Sequence, residues 1–171
     1  KNLANGINLN KTITHLDLSE NRFGDGAAKA LAKFLSFHPT LTFLALRETE
    51  IGKKGVKAFC RGLKTNTTLK MFDLSRNMIG DKGATYVKEM LLGNSTICSL
   101  SIWDCDIYVR GMIDISEGIS HHPSLEELNM EQNFIKDQGA LFLARNLTKN
   151  TILKMLNVEY CGIRSLGFEY L

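Results

Sequence analysis

Written in rows of 28, the chain places apolar residues in the same columns from one end to the other without a gap. Ile13, Leu41, Leu69, Ile97, Leu125 and Leu153 form the first column, and Leu16, Leu44, Phe72, Leu100, Leu128 and Leu156 stand three residues on. Leu18, Leu46, Leu74, Ile102, Met130 and Val158 follow two residues later. The last two columns alternate with period two, which predicts a short strand with its apolar side in the core. Asn21, Thr49, Asn77, Cys105, Asn133 and Cys161 come next, where a small polar side chain can satisfy backbone groups of the turn leaving the strand. Phe23, Ile51, Ile79, Ile107, Ile135 and Ile163 then close the core. Gly55, Gly83, Gly111, Gly139 and Gly167 follow, with Ala27 in the first row. Beyond the glycines apolar residues recur at helical spacing, as in Val56, Phe59 and Leu63 or Ala140, Leu143 and Leu147.

Each row is therefore strand, turn, helix, turn. One such unit cannot bury its strand face and helix stripe alone, so successive units stack with parallel strands on one side and helices on the other. The rows divide the chain into a partial repeat over 1–12, repeats over 13–40, 41–68, 69–96, 97–124 and 125–152, and a partial repeat over 153–171. Leu3 and Ile7 match Leu31 and Leu35, so the chain opens inside a helix, and a fragment of a longer solenoid is expected. Six strands at about 4.8 Å give a concave surface roughly 24 Å long, a size suited to a protein surface.

The run LKMFDLSRNMIGDKGATYVKEML from Leu69 to Leu91 resembles the ribonuclease-inhibitor-like class of leucine-rich repeats, and the resemblance covers the whole chain. It implies an α/β leucine-rich-repeat solenoid, a horseshoe with parallel strands on the concave face and helices on the convex face. That class includes ribonuclease inhibitor, the sensing arms of NOD-like receptors, Ran GTPase-activating protein, actin-regulating proteins and bacterial effectors. The motif is specific for fold and weak for function, which has to be argued from the site.

Composition changes this picture little. The 171 residues are 44% hydrophobic and 23% charged, which is ordinary globular composition. No apolar run is long enough to span a membrane, and no signal segment opens the chain. The four cysteines, Cys60, Cys98, Cys105 and Cys161, form no CxxC pair, which favours free thiols in a reducing, cytoplasmic setting.

Where the charges sit is more informative than the formal net of +3. Four columns project outward from the strands: His15 to Met155, Asp17 to Asn157, Ser19 to Glu159 and Glu20 to Tyr160, each read every 28 residues. They hold eight acids (Asp17, Glu20, Glu48, Asp73, Asp104, Glu127, Glu131, Glu159) against two bases, Arg47 and Arg76, so the remainder of the chain carries plus 9. Lys29, Lys33, Lys57, Arg61, Lys64, Lys88, Arg145 and Lys149 fall on the helical side. An acidic inner face fits a partner with a basic surface and disfavours nucleic acid; the plainer reading is a solvated surface. Trp103, the single tryptophan, is either an interface anchor or a cover for Arg47, Arg76 or Glu131. The candidate contact patch is Trp103, Asp104, Glu127, Glu131, Glu159 and Tyr160, with Phe43, Arg47 and Arg76 as a second cluster.

The chain lacks GxxxxGK[ST], GxSxG, HExxH and dinucleotide fingerprints, so it reads as a non-enzyme that needs no cofactor, metal or small-molecule substrate and works as a monomer. Gly52, Gly55, Gly80 and Gly83 recur with the repeat and are expected to serve the turn into each helix rather than a phosphate. His38 and His122 share a register before the strand. Cys105 and Cys161, two strands apart, are too distant for a disulfide. The sequons at Asn10, Asn66 and Asn94 share a register with Asn150, where Asn makes local backbone bonds; Asn146, on a helix, lacks that explanation, so a glycoprotein stays open. The expected function is a protein-binding module with an acidic concave face. Its alternatives are a GTPase activator using Arg47 or Arg76, the sensing arm of a NOD-like receptor, and a bacterial effector scaffold.

Overall fold

Six three-residue strands line up in sequence order as one parallel sheet. They are β1 (His15–Asp17), β2 (Phe43–Ala45), β3 (Met71–Asp73), β4 (Ser99–Ser101), β5 (Glu127–Asn129) and β6 (Met155–Asn157). The computed structural model describes residues 2–171, with side chains from residue 5, so the side chain of Leu3 lies outside the described residues. Each strand pairs with the next at an offset of 28, as in Leu16 with Leu44 and Leu44 with Phe72. Helices α1 (Asn2–Leu9), α2 (Gly24–Leu35), α3 (Lys53–Leu63), α4 (Gly80–Leu91), α5 (Val109–Ile119), α6 (Lys136–Leu147) and α7 (Ser165–Phe168) alternate with the strands. A helix occupies about 10 Å of lateral space where a strand occupies about 4.8 Å, so the stack bends with the strands inside.

Between the two layers the leucine columns form one continuous core. Leu44, Leu100 and Leu128 are 1% exposed, while Leu16 and Leu156 at the two ends are only partly buried. The turn column does what its residue types suggest. Asn77 Nδ2 donates to the carbonyls of Leu46, Leu74 and Ser75, and its Oδ1 accepts from the amides of Thr49 and Ile51. Asn133 repeats the arrangement two repeats on. Cys105 and Cys161 fill the same place as buried thiols that donate to Leu74 O and Met130 O.

A second period, of 56, runs through the helices and is invisible in rows of 28. Asp25 Oδ1 in α2 accepts from the amides of Gly52 and Gly55 at the start of α3, at 2.9 and 2.7 Å. Asp81 in α4 does the same for Tyr108 and Gly111 at the start of α5, and Asp137 in α6 accepts from Arg164 before α7. The residues preceding α3, α5 and α7 offer no side-chain cap of their own, so each of these helices is capped by the helix before it. This corrects the role of the glycine column. Gly55 lies inside the first turn of α3, where a Cβ would sit 2.7 Å from Asp25 Oδ1, so its bareness admits the cap rather than forming a turn. Gly83 is likewise helical, and of the glycines weighed as turn formers only Gly80, at φ 62°, is left-handed.

Candidate protein-binding face

Outward side chains along the strands form the rows predicted, but neighbouring strands use several of them internally. Asp17 Oδ1 accepts the amide of Ser19, and Asp73, Asn129 and Asn157 make the same bond two residues on. Those bonds, with the Ser19 hydroxyl contributing most, hold the Asp17 carboxyl below the usual carboxylate range. Two positions counted as outward are covered: Ala45 is buried, and the Ser75 hydroxyl is buried against that of Ser101 at 2.8 Å.

Arg47 and Arg76 stand in the turns after β2 and β3, and both are occupied. Arg47 pairs with Glu20 at 3.2 Å, and Arg76 pairs with Glu48 at 2.8 Å and reaches Asp104 at 4.0 Å. The Arg76 guanidinium also lies 5.8 Å from the centre of the Trp103 ring, so half-buried Trp103 covers an arginine, one of the two roles open to it from sequence. Phe43, in β2, stacks on His15 at 5.6 Å and stays half-exposed. The second predicted cluster is therefore dispersed. Phe43 sits with His15, Arg47 with Glu20, and Arg76 joins the first cluster through Trp103 and Asp104.

The first cluster spans three adjacent strands. Trp103, Glu131 and Glu159 occupy one row after β4, β5 and β6, about 4.8 Å apart along the sheet. Asp104 and Tyr160 stand in the next row, and Glu127 lies in β5 itself. Among the described residues Glu127 and Glu159 form no ion pair, and Glu131 takes only a 3.2 Å bond from Asn157 Nδ2. Glu126, which sequence reasoning left out, is paired with Lys154 at 2.9 Å. Ion pairs therefore engage Glu20, Glu48 and Asp104 around β1–β4 and leave Asp17 and Asp73 without one, whereas around β5 and β6 none of the outward-column acids is ion-paired among the described residues. Exposed Met155 and Tyr160 add apolar surface there.

Sequence reasoning also missed the backbone of the last row. Glu20, Glu48, Arg76, Asp104, Gln132 and Tyr160 all have φ between 49° and 63°. A left-handed residue with a side chain costs roughly 1–2 kcal/mol, which glycine would remove. No glycine stands in this row, so every repeat carries a full side chain aimed off the end of its strand. The signal lay in the recurrence of one turn position, but a positive φ at Glu, Arg or Tyr leaves no mark in residue type.

Elsewhere the candidates resolve into structure. Asn66 and Asn94 are buried, donating to Leu35 O and Leu63 O and accepting the amides of Leu69 and Ile97. A glycan has no room at either. Asn146 Nδ2 is engaged by Ser116 Oγ and Phe142 O. His38 takes the same structural place as Asn66, with Nε2 on Ile7 O. Burial pushes the Cys105 thiol up to about 12 and raises Cys60 and Cys161 as well, which disfavours the thiolate at all three. Among the described residues no group of His, Cys, Asp and Glu is arranged to hold a metal, and no helix is long and apolar enough to cross a membrane.

Comparison with known proteins agrees with this architecture. The sequence matches the family described as Leucine Rich repeat over residues 9–32, 37–60, 65–87 and 121–144. It is 30% identical to the ribonuclease inhibitor of Mus musculus over 73 residues, which are 42% of this chain and 16% of the inhibitor. The chain thus aligns with a small part of that relative. The fold is similar to that of the tropomodulin C-terminal domain of Caenorhabditis elegans, with a TM-score of 0.72 at 12% identity, covering 86% of this chain and 90% of that one. It is also similar to leiomodin-1 actin-binding site 2, with a TM-score of 0.60 at 17% identity, covering 91% of this chain and 76% of that one. At these identities the likeness concerns fold alone.

Proposed function

This chain belongs to the leucine-rich-repeat family, ribonuclease-inhibitor-like in its 28-residue unit, and from that premise we propose that it is a protein-binding module that holds a basic partner on its concave strand face. The observation that carries the reading is the uncompensated acid of Glu127, Glu131 and Glu159 beside Tyr160 and Trp103. Further along the same face two arginines engage three of the five acids, Arg47 on Glu20 and Arg76 on Glu48 and Asp104, and no base stands in the outward columns around β5 and β6. Carboxylates without a cationic partner keep their attraction for an approaching cation, which speeds encounter and rejects acidic competitors. The rigid sheet loses little entropy on binding. Side chains kept at left-handed positions at a cost in stability also support a face used for contact.

The proposed action is binding, without chemistry of its own. The GTPase-activator reading draws no support from its two arginines. An arginine that assists phosphoryl transfer in trans must reach a partner's phosphate, whereas Arg76 is held by two carboxylates and an indole. Free cysteines and closed sequons at Asn66 and Asn94 favour a reducing, cytoplasmic setting over a secreted one.

Photo-crosslinking tests the face directly. A crosslinker placed at Tyr160 is expected to trap a partner through a basic segment, one placed at Lys149 on the helical side is not, and the Glu127→Lys/Glu159→Lys variant is expected to abolish the product. Neither glutamate side chain makes an internal bond among the described residues, so this variant keeps the fold. Crosslinking from Lys149 alone, or a product indifferent to the charge reversal, would remove the concave face from consideration. Actin belongs in the panel of purified candidates because one structural neighbour is an actin-binding site.

A further inference from the structure

The convex side carries a second charged feature that the strand face does not use. Between α2 and α3 runs a groove of about 570 Å³ walled by Lys29, Lys33, Lys54, Lys57 and Arg61. Lys29 and Lys33 are spaced four apart on α2, and Lys54, Lys57 and Arg61 are spaced three and four apart on α3, so each set shares one helix face. The floor is Ala32, Ala58 and Gly62. At Gly62 the helices approach so closely that a Cβ would meet Ala32 O at 2.7 Å, which brings the two cationic walls together over a floor without bulk. Among the described residues none of the five cations forms an ion pair and no carboxylate lines the groove, although the Lys57 ammonium lies 5.0 Å from the centre of the Tyr86 ring on α4, which leaves Lys29, Lys33, Lys54 and Arg61 as its principal cations.

The fold does not require this. The equivalent surface lies 56 residues on, between α4 and α5, where Glu89 and Glu117 stand in place of Lys33 and Arg61, and Asp114 in place of Ala58. Charge there is balanced, with Lys88 Nζ 2.7 Å from both Asp114 and Glu117. Like charges at helical neighbour spacing destabilise a helix, and the first helix pair retains that repulsion around an open cleft while the second removes it.

We propose that the α2/α3 groove is a binding site for a compact anion carrying several phosphate groups. Its volume is within the range of small-ligand sites, and lysine ammonium and arginine guanidinium groups are the usual partners of phosphate. The floor residues Ala32, Ala58 and Gly62 carry at most a methyl group, so the charge of the walls rather than the floor selects the ligand. The acids at Glu89, Asp114 and Glu117 bound the basic region along the convex face, which disfavours an extended polyanion such as a membrane surface or nucleic acid. This adds a small-molecule ligand to a chain whose sequence suggested none, and it is independent of the concave site.

Calorimetric titration with tripolyphosphate and with inositol hexakisphosphate tests it at moderate salt. A single saturable site is expected, weakened by at least about tenfold in Lys33→Gln/Arg61→Gln and unchanged in Lys136→Gln/Lys149→Gln, which removes the same charge elsewhere. Both variants alter exposed side chains, and thermal melts check their folding. The ligand is also expected to raise the melting temperature of the parent and not of the groove variant. Absence of saturation, equal weakening in both variants, or tighter association with phosphoinositide vesicles or a short DNA duplex than with either small anion would each overturn the proposal.

Discussion

At the scale of single residues, the repeat supplies its own controls. The position before each of β2 to β6 is His38, Asn66, Asn94, His122 and Asn150, and four of these five direct a donor or ring nitrogen at the carbonyl 31 residues earlier. His122 is the exception. Its Nδ1 accepts from Leu125 at 2.9 Å, but its buried Nε2 has no partner. Burial holds the imidazole below the ordinary histidine value, opposed in part by the Asn94 carbonyl. The unfolded chain therefore binds a proton below about pH 6.5 where the fold does not. Stability linked to this group is present above that pH, declines as pH falls toward the lowered folded value, and levels off below it. Asn fits this place in three other repeats, so His122→Asn is expected to stabilise the chain by about 1 kcal/mol at neutral pH. The advantage should widen between pH 7 and pH 5 in urea titrations; a gain independent of pH would refute the linkage. A second control lies at Lys136, left-handed at φ 55° where Gly24 and Gly80 stand at 63° and 62°. Lys136→Gly is expected to raise stability by up to about 1 kcal/mol, and a loss in thermal melts would show that its side chain repays the strain.

Between elements, the decisive contacts are polar. Asp81 accepts two amides at the start of α5, and truncation to alanine leaves both unpaired beside a helix N-terminus. Asp81→Ala is expected to cost about 1–3 kcal/mol and Asp81→Asn less, since the amide oxygen can still accept. Chemical denaturation checks the order, and an equal cost for the two would mean that the charge rather than the bond caps the helix. This helix pairing also shows where sequence reading ran out. The 28-residue apolar period was legible because every row must present leucine to the same core, and strands, helices and turn asparagines followed from it. The 56-residue period was not, because it rests on a few polar or small positions, Asp25, Asp81 and Asp137 with Gly62 and Gly118, which scatter when rows are aligned singly. Legibility of the binding face divides in the same way. Alternation identified the outward columns, so Trp103, Glu131 and Glu159 form one row as read. Pairing across strands depends on side-chain reach, so the tie of Arg76 to Trp103, the separation of Phe43 from both arginines and the loss of Ser75 beneath Ser101 could not be read from columns.

For the whole molecule, each repeat is stabilised chiefly by its two neighbours, since the sheet pairs only consecutive strands. Burial of equivalent residues follows from this. Leu100 in β4 has a repeat on each side and is 1% exposed, whereas Leu156 in β6 is partly buried and α7 beside it leaves Leu166 and Phe168 in solvent. Equal deletions should then have unequal effects. Leu100→Ala is expected to cost about 3–5 kcal/mol and Leu156→Ala about half as much, because a partly buried leucine forfeits less transfer energy and leaves a site that collapses more easily. Amide exchange should likewise be faster in β6 than in β3, as it reports openings of the least supported unit first. Equal costs in urea titrations, with uniform exchange, would mean that the chain folds as one cooperative body rather than as coupled neighbours. The difference bears on function, because Glu159 and Tyr160 belong to β6 and its turn. A basic partner bridging Glu127 in β5 and Glu159 would couple partly buried β6 to a better-buried strand. Binding at the concave face is therefore expected to slow exchange in β6 most, while a ligand in the α2/α3 groove should leave β6 unchanged.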